Sequence, residues 1–329
     1  MRIAKTLVAS LLAGLAQLAA AQSASPAITG PVSLIVPYPA GGASDITARI
    51  FAEPVGRELN TQVIVENIGG ATGAIAAQKM LNAPPDGRVF YQGSQNEIIL
   101  PPLTIRSTRY KSTDFEIVHP ITTTRLVLVV RKNLPATTLQ SFVDLARARS
   151  ATEPLSYGSP GIGSLYHLVP DSMAKLADVR YVHVPYKGGA PLMLDLIGDR
   201  IDFTVMAFST TMLPQEQAGQ FRIIANMSRD KPRELAHLPS VSDLPVFRDV
   251  DYASNAAYYV KKGTPPAIRQ LLNTAIGNVV ASPAIIRALE GDGRRVPARM
   301  SIADAERFFE SEIAKYQRVV QLTGFSPLD

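Results

Sequence analysis

Short apolar runs alternate with glycine-rich loops and amphipathic segments along most of this 329-residue chain. In the first unit the apolar run 32–36 is followed by a Gly/Pro loop at 37–43 and then by apolar residues at helical spacing. A nearly all-apolar run of this length is typical of a strand buried on both faces of a parallel sheet. Because the same order of elements recurs, the sequence predicts an α/β fold with mainly parallel strands.

The repeat falls into two series, the second of which begins near residue 138, and a helical C-terminal part follows. Ser44 or Asp45 is predicted to N-cap the first helix, and Pro54 to kink or end it. We predict strands at 32–36, 62–66, 88–91, within 115–130, and at 155–157, 180–184, 201–206, 222–227 and 256–260. We predict helices after 44, at 74–81 and 138–149, from about 164, and at 190–198, 265–282, 283–290 and 302–322.

The composition is that of a globular protein, with 46% hydrophobic and 19% charged residues. At the usual size of a domain the length favours two lobes. The absence of cysteine excludes disulfides, thiolate metal sites and cysteine nucleophiles. The net charge of +5 is dispersed, with no Lys/Arg run longer than a pair, so nucleic acid is not an expected partner.

The N-terminus has the pattern of a secretory signal peptide, predicted at 1–21. Arg2 and Lys5 precede an apolar stretch at 7–16, and an A-x-A cleavage site ends at Ala21. A membrane helix is the alternative, but the run falls short of the roughly 20 apolar residues that a span needs. We therefore expect a periplasmic protein, exported and soluble, with no cysteine for a lipid anchor. Nucleotide cofactors are not generally supplied there, so none is expected.

Polar, glycine-rich loops follow the predicted strands, where open α/β sheets bind their ligands. These loops are 38–45, 67–73, 93–96, 158–164, 185–190 and 207–211. Glycine lets backbone amides approach a ligand, and helix N-termini direct those amides at an anion. Each loop alone also fits a simple strand-to-helix turn. Together, 38–45 and 158–164 favour a cleft for a small carboxylate.

Several side chains in these loops have two interpretations. Asp45 is expected to cap its own helix rather than contact an anion, and Lys187 to be solvated or to assist lobe closure rather than bind the ligand. His167 is expected to be a packed or capping histidine rather than a catalytic one. Aromatic residues in or beside the loops belong either to the core or to apolar walls of the pocket; they are Tyr38, Tyr91, Tyr166 and Phe208.

Enzyme signatures are missing from the sequence. It contains no G-x-S-x-G, H-E-x-x-H, Walker A or G-x-G-x-x-G motif. Its four histidines lack the spacing of metal ligands, and Ser164 with His167 does not resemble a nucleophile and its base. We therefore expect no catalytic residues, no metal site and no enzymatic activity; a periplasmic hydrolase is kept as a distant alternative.

Seven motifs occur in order along the chain, at 31–45, 65–73, 84–87, 157–167, 183–191, 195–202 and 262–266. The first runs from Pro31 to Asp45, and the fourth includes His167. Together they resemble the Bug family of extracytoplasmic solute receptors, also called the TctC family, which serve tripartite tricarboxylate transporters. The resemblance implies a two-lobe periplasmic-binding-protein fold of type II, with two crossover segments, that closes on its ligand like a Venus flytrap.

The resemblance also implies which residues bind the ligand. Lobe 1 would contribute Tyr38, Gly41, Gly42, Ala43 and Ser44, and lobe 2 Ser159, Gly161, Gly163, Ser164 and His167. The rest of the pocket would be lined by Gly73, Ser94, Gln95, Lys187, Gly188, Ala207 and Phe208. We expect lobe 1 to comprise 22–125 plus 240–329 and lobe 2 to comprise 126–239. By resemblance the protein is a monomer that delivers its ligand to a membrane permease or, alternatively, presents it to a periplasmic sensor kinase.

One motif departs from the family pattern. Many members have Phe-Asp where this chain has Val205 to Phe208, so the acidic group is missing. This makes a ligand ammonium group less favourable. The expected ligand is an acid without an amino group, with aromatic carboxylates and C4–C6 di- or tricarboxylates equally plausible.

Overall fold

A computed structural model describes residues 28–70 and 73–329; the predicted signal peptide at 1–21 lies outside them. Within these residues the chain forms a mixed sheet of nine strands. The strands are β1 (Val32–Val36), β2 (Val63–Asn67), β3 (Val89–Gly93), β4 (Phe115–Arg131), β5 (Leu155–Ser159), β6 (Tyr181–Pro185), β7 (Phe203–Ala207), β8 (Phe221–Asn226) and β9 (Ala253–Lys261).

Helices connect and cover the strands. They are α1 (Ala43–Glu58), α2 (Ala74–Asn82), α3 (Gln95–Ile98), α4 (Pro101–Thr104), α5 (Leu139–Arg149), α6 (Leu165–Ala177), α7 (Gly189–Ile197), α8 (Met212–Gln217), α9 (Pro266–Val280), α10 (Pro283–Glu290) and α11 (Ile302–Thr323). In the described part of the chain no single helix is long and apolar enough to cross a membrane. Only α9 and α10 taken together reach that length and composition, and they meet at a bend of 67°.

The sheet is parallel only in its outer parts. The strand order is β2-β1-β3-β9-β4-β7-β5-β6, with β8 also paired to β4. β1 is parallel to β2 and β3, and β5 is parallel to β6 and β7. The strands at the centre, β4 and β9, pair antiparallel with all their neighbours. The expectation of mainly parallel strands is therefore wrong for the centre of the sheet.

The long strand β4 passes from one lobe into the other. Its residues from Phe115 to Arg125 pair with β9, and those from Leu126 onward pair with β7 and β8. We therefore assign β1, β2, β3, β9 and the first part of β4 to lobe 1, and the remaining strands to lobe 2. The chain returns through 227–252, and the exact lobe limits stay a prediction.

Each lobe has an apolar core beneath its sheet. In lobe 1 the rings of Phe51 and Phe90 pack edge-on against Tyr258, with centroids 5.7 and 5.1 Å away. In lobe 2 Phe142 packs against Phe203 at 5.0 Å. The predicted break at Pro54 is wrong, because α1 continues to Glu58 with Phe51 and Val55 buried on the same face.

Candidate ligand-binding site

Three loops of lobe 1 meet at the carboxyl ends of β1, β2 and β3. Gly73 shows how closely they approach. A Cβ atom there would lie 2.5 Å from Cγ of Glu97 and 3.1 Å from Cβ of Pro37, and its φ of +86° is unfavourable for other residues. The loop after β2, the loop after β1 and helix α3 therefore form one surface.

The N-terminus of α1 differs from the prediction. Gly42, not Ser44 or Asp45, is the N-cap, and it provides no side-chain hydrogen bond. Asp45 lies in the first turn, where its carboxylate accepts hydrogen bonds from Nε of Arg49 (3.0 Å) and the amide of Gly41 (2.8 Å), which lower its pKa. Asp45 thus holds the loop, and Arg49 balances its charge. Ser44 accepts 2.7 Å hydrogen bonds from the Gln92 amide through both its hydroxyl and its carbonyl oxygen.

Helix α3 places buried polar side chains between the lobes. Ser94 caps the helix, since its hydroxyl accepts from the amide of Asn96 at 3.2 Å. Gln95 accepts from the amide of Asn255 in β9 at 3.2 Å. Asn96 reaches the other lobe, where its Oδ1 accepts from the amide of Leu165, the first residue of α6, at 3.1 Å. The lobes therefore make direct polar contact beside α3.

Glu97 is a site residue that the sequence analysis missed. It is only 1% exposed, and burial raises its pKa. Its Oε2 accepts from the amide (2.6 Å) and hydroxyl (2.8 Å) of Ser94, and its Oε1 accepts from the hydroxyl of Tyr38. The signal was present as a capping box, Ser94-x-x-Glu97, directly after a strand.

In lobe 2 the loop after β5 is held by its own hydrogen bonds. Nδ1 of His167 accepts from the amide of Gly163 at 3.0 Å, so His167 caps the loop. The hydroxyls of Ser159 and Ser164 donate to the carbonyl of Gly161 at 3.1 and 2.7 Å. These bonds fix the loop opposite α3 of lobe 1.

Two histidines stack behind this loop. The rings of His167 and His183 are 3.9 Å apart and nearly parallel, and Tyr157 stacks on His183 at 4.9 Å. Nε2 of His183 lies 2.7 Å from the hydroxyl of Ser159. Burial, and then the neighbouring His167, lower the pKa of His183 to about 4. We therefore expect His183 to be neutral when the loop is intact.

The lowered pKa predicts that acid destabilises lobe 2. Above an unfolded-state pKa of about 6.5, His183 is neutral in both states, whereas between that value and about 4 the unfolded chain binds the extra proton. Stability should therefore fall as pH falls through this window. The full shift corresponds to about 3 kcal/mol, and the partial exposure of the ring lowers the expected loss to about 2 kcal/mol. Urea unfolding at pH 7.5 and 4.5 tests this. His183→Gln should lose about that much of the pH dependence, while His237→Gln, at an exposed position, should keep it all. Equal pH dependence in the wild type and His183→Gln would refute the assignment.

The structure brings aromatic rings from both lobes to Glu97. Burial, and then the Glu97 carboxylate, raise the pKa of Tyr38 in lobe 1, and Tyr166 in lobe 2 raises it further. Burial and Glu97 also raise the pKa of Tyr166, to about 12. Tyr38, Glu97 and Tyr166 therefore share one part of the cleft.

Other predicted contacts lie apart from this group. Phe208 is 1% exposed and packs in the core of lobe 2, against Gly293. Ala207 is half-buried at the end of β7, Lys187 is exposed, and a Cβ at Gly188 would meet no atom within 4 Å. The predicted contacts that lie near one another are Gly73 and those in the loops after β1, β3 and β5.

Two surface cavities lie outside this cleft. One, of about 720 Å³, runs between α1 and the edge strand β2. The other, of about 510 Å³, lies beside the crossover and is lined by charged groups that include Arg125, Asp230 and Arg295. Neither is lined by the loops that follow β1 or β5. We take the space between those loops as the candidate site because of the contacts described above.

Comparison with known proteins identifies the family. A family profile described as the tripartite tricarboxylate transporter family receptor, TctC, matches residues 47–325. The chain belongs to the TctC family. A relative at 30% identity is the "UPF0065 protein in the TAR-I ttuE-ttuC' intergenic region" of Agrobacterium vitis, aligned over 98% of this chain and 91% of that protein.

Solved TctC structures have the same fold. Rpa4515 of R. palustris, determined with adipate, is 30% identical, covers 91% of this chain and 99% of its own, and has a TM-score of 0.78. A TctC solute-binding protein from Polaromonas, without ligand, is 25% identical with a TM-score of 0.73, covering 90% of this chain and 98% of its own. The two-lobe solute-receptor fold and the TctC assignment are thereby confirmed.

Proposed function

We propose that this protein captures a small organic carboxylate by lobe closure in the periplasm and delivers it to the membrane subunits of a tripartite transporter. The observation that carries the proposal is the pair of loops after β1 and β5. Tyr38 of the first loop and Tyr166, just after the second, are close enough to interact electrostatically, and Asn96 bonds Leu165 beside them. The TctC assignment supports the receptor role, and adipate in the R. palustris relative supports a carboxylate ligand.

The N-terminus of α1 is the part of this cleft best suited to the carboxylate. The amides of Ala43, Ser44 and Asp45 belong to the first turn, where a helix offers no backbone acceptor, and they point out of the helix end. Amides at a helix N-terminus favour an anion. In the first turn of α6 the amide of Leu165 already donates to Asn96, and that of His167 donates to the carbonyl of Ser164. We therefore place the carboxylate on the α1 side.

The family assignment also supports export and transport. The predicted signal peptide and the periplasmic location of TctC receptors support an exported, soluble protein without a lipid anchor. Lobe closure would produce the surface that a permease recognises, because a ligand shifts the equilibrium only as far as it prefers the closed state. Delivery to a permease is favoured over presentation to a sensor kinase by the transporter-receptor description of the family.

Thermal unfolding of the protein from residue 22 onward, against aliphatic, aromatic and amino acids, tests this function. At 100 times its Kd, a ligand adds about 2.7 kcal/mol to stability, which gives a clear rise in Tm. We expect one class of carboxylate to give this rise, and calorimetric titration to give one site per chain. The protein is first unfolded and refolded to remove any ligand carried through purification. No rise with any acid after refolding would contradict the proposal.

A further inference from the structure

Glu97 is a buried carboxylate that no positive charge balances. In the described part of the chain the carboxylate of Glu97 forms no ion pair with Lys, Arg or His. It is bonded to three groups, which are the backbone amide and hydroxyl of Ser94 and the hydroxyl of Tyr38. All three donate to it, and these hydrogen bonds lower its pKa against the rise that burial causes. Because three donors suit the charged form, we treat the carboxylate as ionised. A negative charge therefore lies under the lobe 1 side of the cleft.

The hydrogen bond from Tyr38 to Glu97 determines whether the hydroxyl of Tyr38 can donate to a ligand or only accept from it. A phenol has one proton to donate, and in Tyr38 that proton goes to Glu97. Its oxygen then presents only lone pairs. Tyr38 is 38% exposed and lies in the loop after β1, where the ligand is proposed to bind. A group that approaches the hydroxyl of Tyr38 must therefore donate a hydrogen bond.

Lobe 2 does not provide a positive charge that would offset Glu97. Tyr166 of lobe 2 interacts electrostatically with Glu97, but a tyrosine carries no positive charge. The histidines stacked in lobe 2, His167 and His183, are already bonded, His167 to the loop amide of Gly163 and the carboxylate of Asp171, and His183 to the hydroxyl of Ser159. A second ligand carboxylate at this end would face Glu97 with nothing to compensate the repulsion.

We propose that Glu97 and Tyr38 select an acid with one carboxylate and, at its other end, a hydrogen-bond donor such as a hydroxyl or ammonium group. A dicarboxylate of the same length is disfavoured. This inference rests on the proposed function and narrows its ligand class. It also replaces the expectation of an acid without an amino group, which considered only the strand end at 205–208.

A matched series of ligands tests the selection. Calorimetric titration would compare hexanoate, 6-hydroxyhexanoate, 6-aminohexanoate and adipate, and in parallel benzoate, 4-hydroxybenzoate, 4-aminobenzoate and terephthalate. Within each series only the far end changes. In the series that binds, we expect a donor-ended acid to bind at least tenfold more tightly than the dicarboxylate, because like charges in a partly buried cleft repel strongly.

Variants at position 97 test whether Glu97 causes this ligand preference. In Glu97→Gln the side-chain amide can donate to the oxygen of Tyr38, which frees the Tyr38 proton for the ligand; the dicarboxylate should gain at least tenfold relative to the donor-ended acid. Glu97→Asp, which keeps the charge, should keep the preference. Glu53→Gln, at an exposed glutamate of α1, is the matched control and should change nothing.

The outcomes separate this inference from the proposed function. A dicarboxylate that binds the wild type as tightly as the donor-ended acid overturns the selection and leaves the receptor function standing, whether or not Glu97→Gln folds. A preference that persists in folded Glu97→Gln overturns the role of Glu97. Failure of every acid to bind overturns both.

Discussion

Leucine in place of Gly161 is expected to weaken carboxylate binding at least 100-fold and to change Tm by less than about 2 °C. A Cβ at Gly161 would meet no atom within 4 Å, and the residue does not have a positive φ, so the fold tolerates a side chain there. The loop nevertheless borders the proposed cleft, where lobe 1 would approach it on closure. Four added carbons would compete with the ligand or hold the lobes apart, and 100-fold corresponds to about 2.7 kcal/mol. Calorimetric titration and thermal unfolding of the same preparation measure both effects.

Two further leucine substitutions complete this experiment, one in the opposite loop and one as a control. Gly42→Leu places the same bulk on lobe 1, where a Cβ has only an ordinary contact of 3.5 Å with the carbonyl of Pro39. It should weaken binding in the same direction. Ala281→Leu adds bulk at an exposed position next to α9, whose Asn278 bonds Glu58 at the end of α1 remote from the cleft. It should leave affinity unchanged. Full affinity in both glycine variants would show that the ligand does not lie between these loops.

Local patterns were sufficient to predict most helices and strands. The units from β1 to α2 and from β5 to α7 are each encoded within about 50 residues, by apolar runs followed by glycine loops. The antiparallel centre was not predictable in this way. β4 pairs with β9, more than 100 residues later in the chain. Nothing in the sequence of either strand indicates that the other is its partner. Strand direction there depends on tertiary pairing, which a single sequence does not specify.

The candidate site was predictable in its loops but not in its polar contacts. Loops after parallel strands converge by topology, so the loops at 38–45 and 158–164 were identifiable in advance. The bond between Asn96 and Leu165 depends on how two lobes meet, and the one between Tyr38 and Glu97 on how two loops meet. The capping box at Ser94 predicts that Glu97 bonds the amide of Ser94, but neither its burial nor which side chain lies beside it.

Alanine in place of Phe208 is expected to lower the free energy of unfolding by about 3–4 kcal/mol while changing ligand affinity less than threefold. The resemblance to the family placed Phe208 among the ligand contacts, whereas its ring is 1% exposed and packs with Val127, Leu192 and other core residues of lobe 2. Truncating a buried phenylalanine removes transfer free energy and leaves a cavity. Urea unfolding without ligand and calorimetric titration well below Tm measure the two quantities separately.

A milder variant at the same position separates a core role from a ligand contact. A Cβ at Gly293 would lie 2.7 Å from Cε1 of Phe208, so the ring fills the space beside the turn after α10. Ser209, the next residue, donates a 2.8 Å hydrogen bond to Asp292 of the same turn. Phe208→Leu keeps most of the volume and should cost only about 1 kcal/mol. A large loss of affinity in Phe208→Leu, at nearly unchanged stability, would instead place the ring in the ligand pocket, because a core residue acts on binding only through the fold.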